Sequence, residues 1–210
     1  MPTDIVHIVG AGGHAKVVIA ALRETGPTDG RIRVWTESVD EAGGSISGIG
    51  IGLLEQAELS GAAFHVAIGN NGVRRRLHAA IVERGGRPVA ISHPGARITT
   101  EAHIAPGTFI AAGAIIGPEA TVGPGVIVNH AAIVDHDCRI GGFCHIAPAA
   151  TLGGNVCVGD GVLIGASATI LPGVSICENA VIGAGAVLTR DADCPATYMG
   201  VPAVKRRERG

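Results

Sequence analysis

Aromatic side chains are scarce in this sequence: three Phe, one Trp and one Tyr in 210 residues. A core built on rings is excluded, so Ile, Val, Leu and Ala, within an apolar content of 47%, must fill the interior. Charge is scarce too. Charged residues make up 16% and the net charge is −2, which argues against general binding of nucleic acid or of an anionic membrane surface, since both require a basic patch. The first apolar stretch, residues 5–22, is broken by His7, His14 and Lys16, so it does not read as a membrane span. The five cysteines, at 138, 144, 157, 177 and 194, are odd in number and include no C-x-x-C pair. No stretch reads as a secretory signal, and the expectation is free thiols in a reducing, cytoplasmic compartment.

Glycine, by contrast, is abundant: 33 residues of 210, roughly 16% against a usual 7%. The apolar content excludes a disordered or collagenous chain. Abundant glycine with an aliphatic core favours a repetitive β architecture with tight corners. The repeat is explicit. Starting at Ile98 and stepping by six, the residues are Ile98, Ile104, Ile110, Ile116, Val122, Val128, Val134, Ile140, Ile146, Leu152, Val158, Ile164, Ile170, Ile176, Ile182 and Leu188, sixteen aliphatic positions without exception. Four residues after each stands Ala, Val, Cys or Thr, and Gly often follows directly, as at Gly117, Gly141 and Gly165. A helix cannot keep such a repeat on one face, because six residues at 3.6 per turn rotate it by about 240°. A hexapeptide can form one flat side and one corner of a triangular coil, with the aliphatic residue pointing to the axis. Eighteen residues make one coil, and sixteen hexapeptides make a prism of a little over five coils, about 25 Å tall at roughly 4.8 Å per coil. A β-sandwich has period-2 alternation and irregular turns, and gives no reason for this register.

The first 95 residues read differently. Strands are expected at residues 5–9, 31–35, 64–68 and 88–91, and helices at 16–24 and 73–84, the second opening on Arg74, Arg75 and Arg76. Strands alternating with helices indicate a small parallel α/β domain. The expected organisation is an α/β domain over 1–95 and the prism with its tail over 96–210, joined at His93-Pro94-Gly95.

Several motifs carry chemistry. Gly10-Ala11-Gly12-Gly13-His14-Ala15 fits G-x-G-x-x-A between a strand and a helix, a turn whose N–H groups can hold a pyrophosphate. Ninety-five residues supply about half of a dinucleotide-binding domain, so a nucleotide-sugar diphosphate suits it better than NAD. The bland alternative is a turn that merely packs strand on helix. Thr36 and Glu37, at the end of the second strand, occupy the usual place for a residue that reads a ribose or base. Asn70 and Asn71 share that sheet edge; they could reach the ligand, or Asn71 could cap the following helix.

In the prism, His130 and His136 replace the usual Pro, Gly or Ala, and Asp137 follows the second. Six residues apart, the two histidines fall on different sides of the triangle and cannot share one metal ion within a chain at distances near 2.0–2.1 Å; no metal is expected. A histidine beside a carboxylate suits a general base that deprotonates an amine attacking a thioester. Gly154, eighteen residues on, stacks one coil above His136 and leaves a backbone N–H approachable for the oxyanion. No Ser or Cys has a paired base, so no covalent intermediate is implied. Cys138 and Cys144 read as core filler. Lys205, Arg206 and Arg207 form a basic tail, either a solvated terminus or a contact for a phosphate-rich ligand such as coenzyme A.

Four features coincide: the Gly10–Ala15 turn, Ala67-Ile68-Gly69-Asn70-Asn71, Val134-Asp135-His136-Asp137-Cys138-Arg139-Ile140-Gly141, and Gly200-Val201-Pro202-Ala203. Together they resemble the hexapeptide-repeat acetyltransferases that modify nucleotide-linked amino sugars, as in bacillosamine and perosamine biosynthesis, and the related sialic-acid O-acetyltransferases. The resemblance implies a left-handed parallel β-helix and acetyl-CoA as co-substrate. It implies that His136 is the general base, that Asp137 raises its basicity, and that His145 contacts the acetyl-CoA thioester region. Gly154, Ala166, Ala184 and Lys205 are the further positions expected to line the acetyl-CoA groove, and Gly12, Gly13 and His14 the substrate site. One departure is Trp35-Thr36-Glu37, where the family usually has Asp. The expected function is N-acetylation of a UDP- or GDP-linked 4-amino sugar. The alternatives are sugar O-acetylation of the sialic-acid type and a non-catalytic nucleotide-sugar scaffold. Residues preceding the aliphatics, namely Phe109, Ile115, Ile127, Ile133, Leu163, Val181 and Val187, would make an apolar outer surface. That surface predicts a homotrimer with sites at the subunit boundaries.

Overall fold

The computed structural model describes residues 5–26 and 29–206; Arg207 of the basic tail lies outside them. The amino-terminal part is a sheet with helices: β1 (Val6–Val9), α1 (Gly13–Thr25), β2 (Ile32–Thr36), β3 (Ser45–Ile46), β4 (Ile49–Leu53), β5 (Ala63–Val66), α2 (Asn71–Glu83) and β6 (Arg87–Pro88). The strand order is β3-β4-β2-β1-β5-β6. β1 pairs in parallel with β2 on one side and β5 on the other, and a strand covered on both sides has to be almost wholly apolar. Gly10 closes β1 with φ +114°, and a Cβ there would meet Ile68 and the Ala67 carbonyl at 2.7 and 2.9 Å, so only glycine fits the turn.

Each hexapeptide then contributes one two-residue strand, and the strands stack in three parallel sheets that form the faces of the prism. Face one runs from Ile91–Ser92 through Phe109–Ile110, Ile127–Val128, His145–Ile146, Leu163–Ile164 and Val181–Ile182 to Thr197–Met199. An antiparallel strand, Val204–Lys205, closes it. Face two comprises the strands at 97, 115, 133, 151, 169 and 187, and face three those at 103, 121, 139, 157 and 175. Partners lie eighteen residues apart, as in Phe109↔Ile127 and Ile133↔Thr151, up to the last coil, where Val181↔Thr197 shortens the step to sixteen. The predicted aliphatics point inward from Ile110 onward, with Ala, Val, Cys and Thr packed at the corners. At about 1.5–3 kcal/mol for each buried Val, Leu or Ile, this stack is the main stabilising term of the prism. Cys138 and Cys144 belong to it, their thiols donating to the carbonyls of Gly153 at 3.2 Å and Gly159 at 3.0 Å. Burial pushes the Cys144 thiol up to about 12, so core filler is the right description. The corners need a left-handed residue, and Glu119, Ala131, Asp137, Phe143 and Asn155 adopt φ of 54–59° there.

The α/β sheet ends at Pro88, and Ile91–Ser92 already pairs with Phe109–Ile110 of the prism. The joint therefore lies ahead of His93-Pro94-Gly95. The two parts share one core: Phe109 and Ile127 pack with Val6, Ile8, Val18 and Ile19. This corrects the expected apolar surface, because Phe109 and Ile127 are 0% and 1% exposed under the chain's own amino-terminal domain. On face two, Ile115 remains 38% exposed and Ile133 and Val187 half-buried.

Arg74 fastens the parts together. It is 1% exposed. Its Nε donates to Gly125 at 2.7 Å, Nη1 to Ile68 at 2.9 Å and Gly69 at 3.1 Å, and Nη2 to Phe143 and Cys144, both at 3.0 Å, all on backbone carbonyls. A guanidinium can be buried without a carboxylate only when carbonyl oxygens receive its N–H groups in this way.

Candidate active site

Two groups of residues stand out, at different corners of the molecule. The first is a cavity of about 270 Å³ lined by Gly10, Ala11, Gly12, Gly13 and His14 together with the strand ends at Thr36 and Ala67–Gly69. Helix α1 starts on Gly12 without a side-chain cap, so its first N–H groups and positive end face this cavity. A Cβ at Gly12 or Gly13 would meet nothing within 4 Å, so both leave the backbone open to a ligand. His14 sits edge-on to Phe109, with centroids 5.3 Å apart. Burial foremost, and then the charges of neighbouring His65, His145 and Arg74, lower it to about 3, so it is neutral. Its Nε2 is buried with no partner among the described residues.

The strand-end residues divide. Thr36 is 5% exposed; its hydroxyl donates to Glu41 at 2.6 Å and accepts from the Ser38 N–H at 3.1 Å, so it shapes the wall through its own turn. Glu37 is half-exposed and its carboxylate receives both Nη groups of Arg76 at 2.9 and 2.6 Å, which holds it below the usual carboxylate range. Asn70, not Asn71, caps α2: its Oδ1 accepts from the Val73 N–H at 3.0 Å. Asn71 is committed elsewhere, a correction to its expected capping or ligand role. Its Nδ2 donates to Gly161 at 2.9 Å and Val162 at 3.2 Å, and its Oδ1 accepts from Arg74 at 2.9 Å. The expected cap was misplaced by one residue because two asparagines are adjacent.

His145 also belongs to this first group. It lies outward on face one beneath the Gly69 turn, and burial depresses it to about 4. Asn129 fixes its tautomer. The His130 N–H must donate, so the Asn129 atom 2.9 Å from it is Oδ1. The other amide atom, Nδ2, therefore donates to His145 Nε2 at 3.1 Å. His145 thus carries its proton on Nδ1, beside the Gly69 backbone, which pulls its affinity for protons partly back up. A neutral imidazole so placed positions neighbours and does not exchange protons near neutral pH.

The second group is at the corner between faces two and three. His136 Nδ1 lies 2.8 Å from Asp137 Oδ2, and its backbone N–H donates to Asp135 at 2.8 Å. The carboxylate can only accept, so the proton is on Nδ1 and the Nε2 lone pair is free. Above all through the Asp137 hydrogen bond, the affinity of His136 for protons is raised. Asp137 stands at a left-handed corner with φ 59°, a conformation Asp tolerates better than most residues. Gly154 is stacked directly above: a Cβ there would collide with His136 Cε1 and Nε2. The Gly154 carbonyl accepts from Gly173 at 2.9 Å, while its N–H has no acceptor among the described residues.

Other expected positions scatter. Ala166 and Ala184 rise in the column of His130 and Pro148, as the hydrogen bonds Ala149→His130, Ser167→Pro148 and Gly185→Ala166 show. They stand at the corner between faces one and two, not above His136. Lys205 lies in the closing strand and donates to Cys194 Sγ at 3.2 Å. Among the described residues no cluster of three or more His, Cys, Asp or Glu is arranged to hold a metal ion, and no helix is long and apolar enough to cross a membrane. Sequence reasoning missed Arg74 and Asn129. Three arginines opening a helix conflict with its positive end, and that conflict was the available signal for a buried partner. Nothing marked Asn129 beyond one polar residue in an aliphatic run.

Comparison with known proteins agrees with both halves. Residues 5–81 match the family described as PglD N-terminal domain, and residues 158–190 match the bacterial transferase hexapeptide (six repeats). A histidine-to-alanine variant of GDP-perosamine N-acetyl transferase from Caulobacter crescentus, solved with CoA and GDP-perosamine, is similar at 33% identity. The match covers 99% of both chains with a TM-score of 0.90. The acetyltransferase domain of PglB from Neisseria gonorrhoeae, solved with acetyl coenzyme A, is similar at 32% identity, covering 98% of this chain and 100% of that one, with a TM-score of 0.89. WeeI from Acinetobacter baumannii shares the fold at 24% identity and a TM-score of 0.90. Fold and site together define an acyltransferase built on a left-handed β-helix. More particularly, the chain belongs to the hexapeptide-repeat family of nucleotide-sugar N-acetyltransferases.

Proposed function

We propose that this enzyme transfers the acetyl group of acetyl-CoA to the amino group of a nucleoside-diphosphate-linked amino sugar, in the cytoplasm, at sites shared between the subunits of a homotrimer. The observation that carries the chemistry is the His136–Asp137 pair, with its free Nε2 beside the unpaired Gly154 N–H. The amine nitrogen attacks the thioester carbonyl carbon as His136 Nε2 takes its proton, and Asp137 stabilises the imidazolium. The carbonyl oxygen becomes an oxyanion received by Gly154 N–H. Collapse breaks the carbon–sulfur bond, and the imidazolium returns its proton to the CoA sulfur. The diphosphate lies on Gly12, Gly13 and the α1 terminus, beside His14, with Thr36 shaping the wall and Asn70 capping α2 next to the Gly69 turn. The family members solved with CoA, acetyl coenzyme A and GDP-perosamine support both co-substrates.

The division between corners supports a shared site. The α/β domain packs on face one and its flanks, through His14 against Phe109, Asn71 on Gly161 and Arg75 on Asp160 at 3.2 Å, whereas His136 stands at the corner between faces two and three. A neighbouring copy packed against face two, over Ile115, Ile133 and Val187, brings one chain's His136 to the other's cavity. The acetyl-CoA groove then has Gly154 on one wall and Ala166 and Ala184 on the other, with Lys205 near its end. Acetyl-CoA consumption, assayed against UDP-, GDP- and dTDP-linked amino sugars and free sialic acid, tests the reading. A rate above background with an amino sugar is expected, and none with any of them overturns it. Sedimentation as a species of about 21 kDa would overturn the trimer.

A further inference from the structure

The peptide unit between Gly153 and Gly154 carries the N–H proposed above as the oxyanion donor, and little holds it. The units on either side are tied from coil to coil: the Gly153 N–H donates to Ile170 at 3.0 Å and the Asn155 N–H to the His136 carbonyl at 2.8 Å. Close packing requires glycine at both positions, since a Cβ at 153 would meet Pro172 at 2.8 Å and one at 154 the His136 ring. A peptide between two glycines has no Cβ to resist rotation of its plane. Turned over, it would carry the Gly153 oxygen to where the Gly154 N–H now points.

The side chain that opposes this is Cys138. It is 0% exposed, and its thiol donates to the Gly153 carbonyl at 3.2 Å, the one hydrogen bond of this peptide unit among the described residues. In a trans peptide the C=O and N–H point in opposite directions, so an oxygen held toward the core sets the Gly154 N–H outward. The Val156 N–H faces the same sulfur, so the thiol stands between the two ends of the turn. At Gly165–Ala168 the ends of the turn meet directly, at 3.1 Å. Burial foremost raises the Cys138 thiol above its ordinary range, so it keeps the hydrogen that it donates. Cys144 makes the same contact with Gly159 at 3.0 Å, and Thr108 with Gly123 at 2.8 Å. Those two carbonyls lie at the corner between faces three and one, away from His136.

We propose that Cys138 is a positioning residue for the transfer: through the Gly153 carbonyl it keeps the Gly154 N–H aimed at the oxyanion. This rests on the acetyl-transfer reading above. The consecutive residues His136, Asp137 and Cys138 then supply the base, its carboxylate partner and, one coil on, the orientation of the donor.

Cys138→Val and Cys138→Thr test it, because the two side chains are alike in shape and only Thr can donate. Val156 and Thr108 hold the same inward position in other hexapeptides and are fully buried there, so the prism accepts both. Steady-state kinetics with acetyl-CoA and an accepted amino sugar give the readout. Cys138→Val is expected to lower kcat about tenfold, part of the roughly 10²–10³-fold worth of a whole oxyanion donor. Both KM values should stay within about twofold, and the acid limb of the pH profile should not move, because His136 keeps its partner. Cys138→Thr is expected to restore most of kcat, and Cys144→Val to leave it unchanged. Thermal melts accompany the kinetics; if Cys138→Val melts well below wild type, Cys138→Ala, with the commonest residue at this position, takes its place. Equal kcat in the Thr and the Val or Ala variants, or an equal loss in Cys144→Val, overturns the positioning role while leaving acetyl transfer standing. A wild-type chain that acetylates no amino sugar overturns both.

Discussion

The imidazole of His136 lies against the backbone of Gly154 so closely that a single methyl group at 154 would occupy its ring atoms. The proposed general base and the proposed oxyanion donor are therefore set by one eighteen-residue step in the repeat. Gly154→Ala must push the ring aside. The expected result is a kcat about 10²–10⁴-fold lower, the usual worth of a general base, with little change in melting temperature because the displaced His136 ring is 55% exposed and can swing into solvent. Parallel kinetics and thermal melts check it; near-normal kcat would separate the two residues functionally.

Asp137→Asn isolates the carboxylate, since Asn adopts the same left-handed corner at φ 59° without strain. Asp137 raises the affinity of His136 for protons. A base must be unprotonated, so activity rises with pH through that titration. Without the carboxylate the acid limb should move to lower pH, and maximal turnover should fall as the imidazolium loses its partner. The pH dependence of kcat/KM measures both, and an unmoved limb would leave Asp137 as a corner residue only.

Buried His65 and half-buried His14 and His145 make stability pH-dependent. Burial is the foremost cause that lowers His14 to about 3 and His65 and His145 to about 4, from an ordinary 6.5. Between those values the unfolded chain binds more protons than the folded one, so stability is complete above about 6.5 and is lost as pH falls toward 4. Melting temperature should fall steadily over that window. Replacing His65, whose Nε2 is buried without a partner among the described residues, by Gln should flatten the slope. A melting temperature constant from pH 7 to 4.5 would contradict this.

Arg74→Met leaves several buried carbonyls from both parts of the chain without donors. Leaving buried acceptors unsatisfied costs about 1–3 kcal/mol each, so a loss of several kcal/mol is expected, with faster proteolysis near the joint after Pro88. A drop under about 1 kcal/mol would show that other contacts hold the domains together.

The prism was legible because its geometry is written as a period: inward aliphatics, small corner residues and stacked columns all follow from a step of six and a coil of eighteen. His136, Asp137 and Gly154 could be placed in one column for the same reason. The period is silent on what covers each face. Phe109 and Ile127 read like Ile115 and Ile133, yet the first two lie under the chain's own domain, a long-range contact that no local pattern encodes. Asn71 and Arg74 act through backbone groups as many as 91 residues away, and Asn129 through the His145 ring, where side-chain identity gives no clue to the partner.

The central claim is that His136 of one chain serves the substrate cavity of its neighbour. Mixed trimers of two inactive chains test it: His136→Ala, which lacks the base, and Gly13→Asp, which sets a negative charge at the expected diphosphate position. Co-expressed with different affinity tags and purified through both, they should recover about a third of wild-type activity, because every mixed trimer unites an intact cavity with an intact base at one of its three sites. Doubly tagged trimers no more active than either variant alone would contradict the shared site.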